Sequence, residues 1–567
     1  MPNRSGPVTL GDLLAEDPAQ LRLLPVGGPG AGATPVSGAT HDSRRVVPGD
    51  LYAALPGSRV HGARFAGAAV AAGAVAVLTD PAGAALCRAD EAGGGVTVPV
   101  LVHPDPRSVL GPVASAVHGH PSRALDVVGV TGTNGKTTVT WLVHHMLRSR
   151  GVGAGLVGTV AVRVHDDEVA SAMTTPEATD LQATLARMRD AGVAVAALEV
   201  SSHALALHRA DGTRMAVVGF TNLSRDHLDF HGDMESYLAA KTRLFTGGFA
   251  TRAVVCVDDD AGHRVAAAAR GAGLDVWTLA TAGRPAPEAD VVMLAADTGV
   301  DGRQRVRVRG PFGHGGARAE LEFDVPMPGR HNAGNAVLAL ALVARLAEGA
   351  DSVTPAEAAA AAAASLGAFA GVPGRMERVV DPASAGRTPL VVVDYAHTPE
   401  AVATALGSLR AATPGRLVVV LGAGGDRDPG KRGPMGAAAA AGADVVVVTD
   451  DNPRGEDPAV VRAAVLAGAV AAPCRRAGDV VEVPDRAGAI ARGLAACEGP
   501  DDTLLVTGKG HETGQDYGGG RRDPFDDRDA AARALQAWAQ EAGVADAEVA
   551  AAPGPAPAGA PAPAGGR

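Results

Sequence analysis

Gly129-Val130-Thr131-Gly132-Thr133-Asn134-Gly135-Lys136-Thr137-Thr138 follows the apolar run that begins at Asp126 and precedes a segment of helical apolar periodicity, Val139 to Leu147. A buried strand, a glycine-rich loop and a helix in that order predict a parallel α/β sheet that binds an anion at the loop. Glycines let backbone N–H groups approach phosphate oxygens, and the helix N-terminus adds positive potential. Lys136 would neutralise β- and γ-phosphates and the Thr137 hydroxyl would reach Mg²⁺, so the stretch Gly132, Thr133, Asn134, Gly135, Lys136, Thr137 and Thr138 is expected to cradle a nucleoside triphosphate. The strict phosphate-loop pattern has glycine at position 130, where this chain has Val130.

Outward from the loop, buried-strand candidates recur at Val193–Val200, Met215–Phe220 and Ala253–Val257, with helical stretches between them, as a parallel sheet requires. A later series, Leu390–Asp394, Leu417–Leu421, Val445–Thr449 and Leu504–Thr507, ends each strand in a polar loop, where open α/β sheets bind ligands. The expected class is α/β in three domains. Residues 1–122 form an N-terminal α/β domain ending at the turn Gly119-His120-Pro121-Ser122, 123–371 a central phosphate-loop domain with a parallel sheet, and 372–540 a C-terminal Rossmann-like domain. Residues 541–567, rich in Ala, Pro and Gly, are expected to be a disordered tail.

Composition narrows the function. The 567 residues carry a net charge of −11 with arginines scattered among acids, which excludes a clustered nucleic-acid footprint. No apolar run approaches a membrane span and the N-terminus lacks signal-peptide character, so a soluble cytoplasmic protein is expected. Cys87, Cys256, Cys474 and Cys497 are far apart and read as buried small hydrophobes. Lysine is nearly absent: only Lys136, Lys241, Lys431 and Lys509 stand among 51 Lys and Arg residues, each inside or beside a Gly-, Asp- or His-rich cluster. An ammonium is compact and can deprotonate, whereas guanidinium is a planar fork that stays charged. Lysine therefore survives where arginine fails. The asparagines tell the same story, with Asn134, Asn222, Asn332, Asn335 and Asn452 all in polar clusters.

Further motifs follow the phosphate loop: Glu199-Val200-Ser201-Ser202-His203, the run from Thr221 to His231, His331-Asn332-Ala333-Gly334-Asn335, Gly374-Arg375-Met376-Glu377 and Asp394-Tyr395-Ala396-His397-Thr398-Pro399. In order and approximate spacing they resemble the Mur ligase superfamily, ATP-dependent amide-forming enzymes of peptidoglycan precursor assembly. The resemblance covers about residues 40 to 515. It implies catalytic roles for Lys136, Glu199, His227 and Lys241, and Mg²⁺ ligation by Thr137, Glu199, His227 and Lys241, the last as a CO₂-derived carbamate (N6-carboxylysine). A carbamate needs a deprotonated amine, which explains the lack of arginine there. Asn335, Arg375 and Asp394 are implied nucleotide contacts, with His397 opening the helix after Asp394. For Asp394 and Asn332, capping and turn roles are the alternative.

Within that family, the N-terminal motifs Asp42-Ser43-Arg44 and His61-Gly62-Ala63-Arg64-Phe65 look like a UDP-binding domain of the branch that adds the third amino acid. The resemblance implies that Ser43 contacts the uridine diphosphate and that Thr174, Thr175, Ser201 and Arg209 hold the muramoyl peptide. His61, Leu207 and Pro429 depart from the residues common there. Asp451-Asn452-Pro453-Arg454 resembles the motif of members that take meso-diaminopimelate, with Arg427, Gly508 and Glu512 completing the pocket. Arginine's fork of donors matches the extra carboxylate by which diaminopimelate differs from lysine. The expected reaction joins meso-diaminopimelate to UDP-N-acetylmuramoyl-L-alanyl-D-glutamate through an acyl phosphate, with ATP and Mg²⁺, in a monomer without nucleic-acid or membrane partners. A folylpolyglutamate synthase-like ligase and a non-ligating phosphate-loop regulatory protein are the alternatives.

Overall fold

The computed structural model describes the chain except for residues 1–6, 18, 25–29, 58, 89–94, 172, 282–287, 300–301, 349–352, 382–383, 385 and 545–567. It divides into two compact units, Met1–Pro373 and Gly374–Arg567.

The first unit contains two large sheets. The N-terminal one has five strands, in spatial order Arg22–Leu24, Val100–Val102, Ala76–Thr79, Asp50–Ala53 and Gly38–Thr40, parallel except for the first. The helix Pro106–Val117 leads out of it, with Asp105 as N-cap and Pro106 at its first turn. The second sheet has eleven strands, and the phosphate-loop strand Asp126–Thr131 lies between Val195–Glu199 and Val217–Phe220. The chain leaves Asp126–Thr131 for Ala154–Val157 on one side and later returns to Val217–Phe220 on the other. This reversal opens a crevice at the carboxyl edge, and the loop sits there.

The sheet continues through Arg252–Cys256, Asp275–Ala280 and Val291–Thr298, and ends in the antiparallel strands Gln304–Gly310 and Ala319–Val325. Arg330–Ala347 is buried almost all round, against the sheet and the helices Lys136–Ser149 and Pro355–Leu366. Val337, Leu338, Leu340, Leu342 and Val343 are each at most 2% exposed. Full burial of such side chains contributes about 1.5–3 kcal/mol apiece, before the entropy of ordering them is counted.

The second unit is a six-stranded sheet in the order Glu377–Val379, Leu390–Asp394, Thr503–Thr507, Leu417–Leu421, Val445–Val448, Asp479–Glu482, parallel except for the first strand. Val391–Val393, Val418–Val420, Val445–Val448 and Leu504–Val506 are buried, the near-continuous aliphatic pattern of a sheet covered on both faces. Asp527–Glu541 closes it, packing Ala531 and Leu535 into the core.

Several expectations need correction. Cys474 is exposed and Cys256 only half-buried, so just Cys87 and Cys497 are buried small hydrophobes. His397 does not open a helix; Thr398 caps the helix Pro399–Arg410. The last helix runs to Glu541, and most of the tail expected at 541–567 lies outside the described residues. Between 275 and 325 the sheet gains four strands beyond the expected buried ones.

Candidate active site

The phosphate loop is shaped by backbone conformations that demand glycine. Gly132 has φ +144° and a Cβ there would fall 1.8 Å from Thr221 Oγ1. Gly135 has φ +88° and a Cβ would meet Asn335 Oδ1 at 2.5 Å. Both contacts are too close for any side chain. The same geometry places Asn335 beside the loop.

The segment after Val217–Phe220 clasps the loop from the other side. Asn222 Oδ1 accepts from Asn134 N at 3.0 Å, Thr221 Oγ1 donates to Asn134 O at 2.6 Å, and Thr133 N donates to Asn222 O at 2.9 Å. Lys136 Nζ folds back to donate to Gly132 O and Thr133 O, both at 2.8 Å. Thr137 and Thr138 are buried in the first turn of the following helix.

Glu199 ends its strand, fully buried, and accepts from Thr137 Oγ1 at 2.9 Å, from Thr159 N at 2.8 Å and from Thr159 Oγ1 at 3.0 Å. A buried carboxylate joined to the loop threonine is a hard-oxygen donor set, which fits Mg²⁺. His227 lies seven residues beyond the strand end Phe220, not directly after it, and caps the short helix Leu228–His231 with φ +53°. Its Nε2 is 3.4 Å from Asp226 Oδ2 and its ring packs edge-on to His203. Among the described residues, no three His, Cys, Asp or Glu side chains stand close enough to hold a metal by themselves.

Lys241, on the helix Met234–Thr246, is 1% exposed. Its Nζ donates to Gly132 O at 2.7 Å and lies 4.3 Å from the centre of the Tyr237 ring. Burial, then the neighbouring Lys136, push its ammonium well below the ordinary lysine range, with Asp226 opposing. This lysine therefore sits against the phosphate loop from behind, a contact the sequence does not disclose.

The peptide-holding candidates form one network at the carboxyl edge. Thr175 Oγ1 donates to Glu199 O at 2.8 Å and accepts from Ser201 N at 3.0 Å, while the Thr174 and Thr159 hydroxyl oxygens lie within hydrogen-bond distance at 3.0 Å. Arg209 pairs with Glu177 at 2.8 Å, and its buried Nε has no hydrogen-bond partner. Ser43 lies half-buried in the N-terminal sheet's loops, near Tyr52. His61 is engaged locally, accepting from Ala63 N and pairing with Asp80 at 3.0 Å. The sequence alone does not single out Thr159, Asn222 and Tyr237 at this site. Thr159 and Asn222 tie Glu199 and the loop, but the partners are 40 and 88 residues apart in sequence.

In the second unit, Asp394 ends its strand and accepts from Met376 N at 2.7 Å and Ala396 N at 2.8 Å. Its carboxylate is thus spent on organising two loops, the turn role that the sequence left open. Arg375 lies over the Tyr395 ring at 4.4 Å with its buried Nε unpartnered. The loops after Leu417–Leu421 and Val445–Val448 are clasped together. Arg454 Nη1 donates to Gly425 O at 2.7 Å, Gly455 N to Asp426 Oδ2 at 2.8 Å, and Asp426 N to Glu456 Oε1 at 2.6 Å. Arg427 is exposed beside them. Asp451 and Asn452 are buried, and Asn452 Nδ2 donates to Glu512 Oε2 at 2.8 Å. Gly508, at φ +115°, lies against Asp451: a Cβ would meet its Oδ2 at 2.9 Å. Pro429 starts a one-turn 3₁₀ helix.

Met376, Asp426 and Arg454 join His227 among the seven described non-glycine residues with positive φ. Such conformations cost about 1–3 kcal/mol each and collect at ligand sites. Four of the seven fall in these loops.

The same domains occur in known proteins. Residues 35–118 match the Mur ligase family catalytic domain, 130–343 the Mur ligase middle domain, and 374–510 the Mur ligase glutamate ligase domain. A Streptomyces coelicolor protein named UDP-N-acetylmuramoyl-L-alanyl-D-glutamate--2,6-diaminopimelate ligase is 46% identical over 89% of this chain and 93% of its own length. A solved structure of a UDP-N-acetylmuramoyl-L-alanyl-D-glutamate--2,6-diaminopimelate ligase aligns over 94% of this chain and 99% of its own, with TM-score 0.63 and 30% identity. A Mycobacterium tuberculosis folylpolyglutamate synthase shares the fold at TM-score 0.53 and 23% identity, over 70% of this chain and 91% of its own. With its three-domain α/β architecture and a relative this similar over nearly its whole length, the chain belongs to the Mur ligase family.

Proposed function

We propose that this chain is an ATP-dependent acid–amino-acid ligase that joins meso-diaminopimelate to UDP-N-acetylmuramoyl-L-alanyl-D-glutamate, a step of peptidoglycan precursor synthesis. A γ-carboxylate oxygen of the D-glutamyl residue attacks the γ-phosphorus of ATP, ADP leaves, and an acyl phosphate forms. The diaminopimelate amine then attacks the acyl carbon, phosphate leaves, and the amine nitrogen gives up a proton.

Each unit supplies a part suited to its step. In the first, glycine-bound backbone, Lys136 and Thr137 meet the triphosphate, while Glu199 and Thr137 offer the oxygens for Mg²⁺, which spreads phosphoryl charge when bound. We assign Lys241 a carbamate, formed when its neutral amine adds to the carbon of CO₂ and loses a proton. In support, a fully enclosed cation with one carbonyl acceptor and an aromatic ring is a costly way to keep a positive charge. His227 would join as ligand by turning from Asp226. Thr174, Thr175, Ser201 and Arg209 would hold the peptide and Ser43 the UDP, with Asn335, beside the phosphate loop, serving the nucleotide.

The observation that carries the choice of amino acid is the clasped pair of loops in the second unit. Arg454 is held by Gly425 O on one side of its fork, beside exposed Arg427, with Glu512 across the buried Asn452. Two guanidinium groups suit the distal carboxylate and Glu512 the ammonium. The folylpolyglutamate synthase alternative has only fold-level likeness behind it. We also infer a cytoplasmic monomer; no helix among the described residues is long and apolar enough to cross a membrane.

The test is phosphate release with ATP, the UDP-dipeptide and a panel of amino acids, with product mass. Release should require meso-diaminopimelate, lysine being poor because it leaves the Arg454 and Arg427 donors without their carboxylate. Preference for lysine or glutamate would overturn the substrate assignment, and no release with any amino acid would favour a non-ligating nucleotide-binding protein.

A further inference from the structure

Lys509 is the most enclosed cation of the second unit's loops, and the reading above gives it no task. Its side chain is 0% exposed. Nζ donates to Asn452 Oδ1 at 2.9 Å and to Glu512 Oε2 at 3.3 Å, and stands 3.8 Å from Asp451 Oδ1. That Asp451 oxygen is buried and has no hydrogen-bond partner. One cation is thus surrounded by two carboxylates and an amide, all belonging to the loops assigned to the amino acid.

The amide is the informative member. Asn452 Oδ1 accepts from Lys509 Nζ and from Asp516 N, each at 2.9 Å. Two donors occupy both lone pairs of that oxygen, which fixes the amide flip. Nδ2 must therefore face the other way, where it donates one hydrogen to Glu512 Oε2 at 2.8 Å. Its second hydrogen is left for a ligand acceptor. An ammonium fits this point where a branched guanidinium would need a wider space, in a chain that otherwise uses arginine.

We propose that Lys509 is a positioning residue of the amino-acid pocket: it locks Asn452 so that an amide N–H faces the carboxylate of the incoming amino acid, and it holds Glu512 ready for the ammonium. This rests on the substrate reading above. Without Lys509, Asn452 is free to flip and present its oxygen, and Asp451 and Glu512 repel an anionic group. The loss falls on substrates that bring the second carboxylate, and less on lysine.

The experiment is steady-state kinetics of Lys509→Met in the full chain, with Asn452→Ala and the double variant. Lys509→Met should raise KM for meso-diaminopimelate by about tenfold or more, as loss of a buried charged hydrogen bond does. KM for ATP and for the UDP-dipeptide should stay within about twofold, and the preference for diaminopimelate over lysine should fall by a similar factor. Because Lys509 acts largely through Asn452, the double variant should be less impaired than the product of the two single losses. Equal damage to all three KM values, an unchanged diaminopimelate KM, or additive effects would overturn the proposal. If circular dichroism shows Lys509→Met unfolded, Lys509→Gln carries the same test, and failure of both to fold would make the lysine a core residue, against the proposal. A parent enzyme that ignores diaminopimelate would instead overturn the substrate reading.

Discussion

At position 241 a lysine persists where the chain writes arginine almost everywhere else, and its surroundings give the reason. It is enclosed, pressed against the back of the phosphate loop through Gly132 O, and its proton is held loosely by burial and by Lys136. Lys241→Arg keeps the positive charge but cannot form a carbamate. The substitution should reduce phosphate release by about 100-fold or more, the scale of losing one preorganised electrostatic group. The circular dichroism spectrum should stay unchanged, and the carbamate carbon seen by NMR with ¹³C-labelled CO₂ should vanish. Near-normal turnover would remove the carbamate from the mechanism. Rarity singles out this lysine in the sequence, and the family resemblance supplies the role expected of it. What was not legible was the direction each side chain takes: that Asp394 spends its oxygens on two backbone amides, or that His227 turns to Asp226, follows from loop conformations with positive φ that no local pattern announces.

Among the elements, the helix Lys136–Ser149 carries two separable demands. Its entrance is the phosphate loop, where Gly135→Ala would force a side chain into Asn335 at a positive φ. Nucleotide affinity, measured by calorimetry, should fall at least about tenfold, since both strain and displacement of Asn335 act on the loop. Its middle buries His144, whose pKa burial pushes down to about 4, helped by Arg163 and Arg148. A base with a depressed folded pKa contributes stability that is fully present above its unfolded value near 6.5 and is lost as pH falls toward about 4. His144→Leu should flatten the fall in the first thermal midpoint between about pH 6.5 and 4 relative to the parent. An unchanged slope would show that the ring titrates freely. Parallel strands were legible as continuous Val and Leu runs because both faces are covered. Gln304–Gly310 was not found by that criterion, since Arg305, Arg307 and Arg309 alternate with the buried Val306 and Val308 in a strand packed on one face only. Its period-two pattern was the available signal.

At the scale of the molecule, the remaining question is where the functional chain stops. Asp527–Glu541 supplies Ala531 and Leu535 to the second unit's core, and Trp538 Nε1 donates to Cys497 O at 3.3 Å. Its first residue does more. Asp527 makes a two-point pair with Arg486 at 2.7 Å, both side chains 0% exposed, and Arg486 also donates to Asp450 O and Thr507 O, the residues just before Asp451 and Gly508. Removing one partner of such a pair leaves a buried charge without compensation and costs about 3–5 kcal/mol. Asp527→Ala should therefore lower the melting temperature of the second unit and weaken diaminopimelate use, because the loops on either side of Arg486 lose their anchor. Beyond Val544 the sequence is Ala, Pro and Gly with one valine, Val549, and three charged residues, Asp546, Glu548 and Arg567, and offers little side-chain area to bury. A chain ended at Val544 should match the parent in melting temperature and in phosphate release, whereas one ended at Asp526 should fold poorly. Equal behaviour of Asp527→Ala and the parent would show that Arg486 is satisfied by its two carbonyls alone, and a loss of activity on ending the chain at Val544 would assign the Ala/Pro segment a role in the reaction.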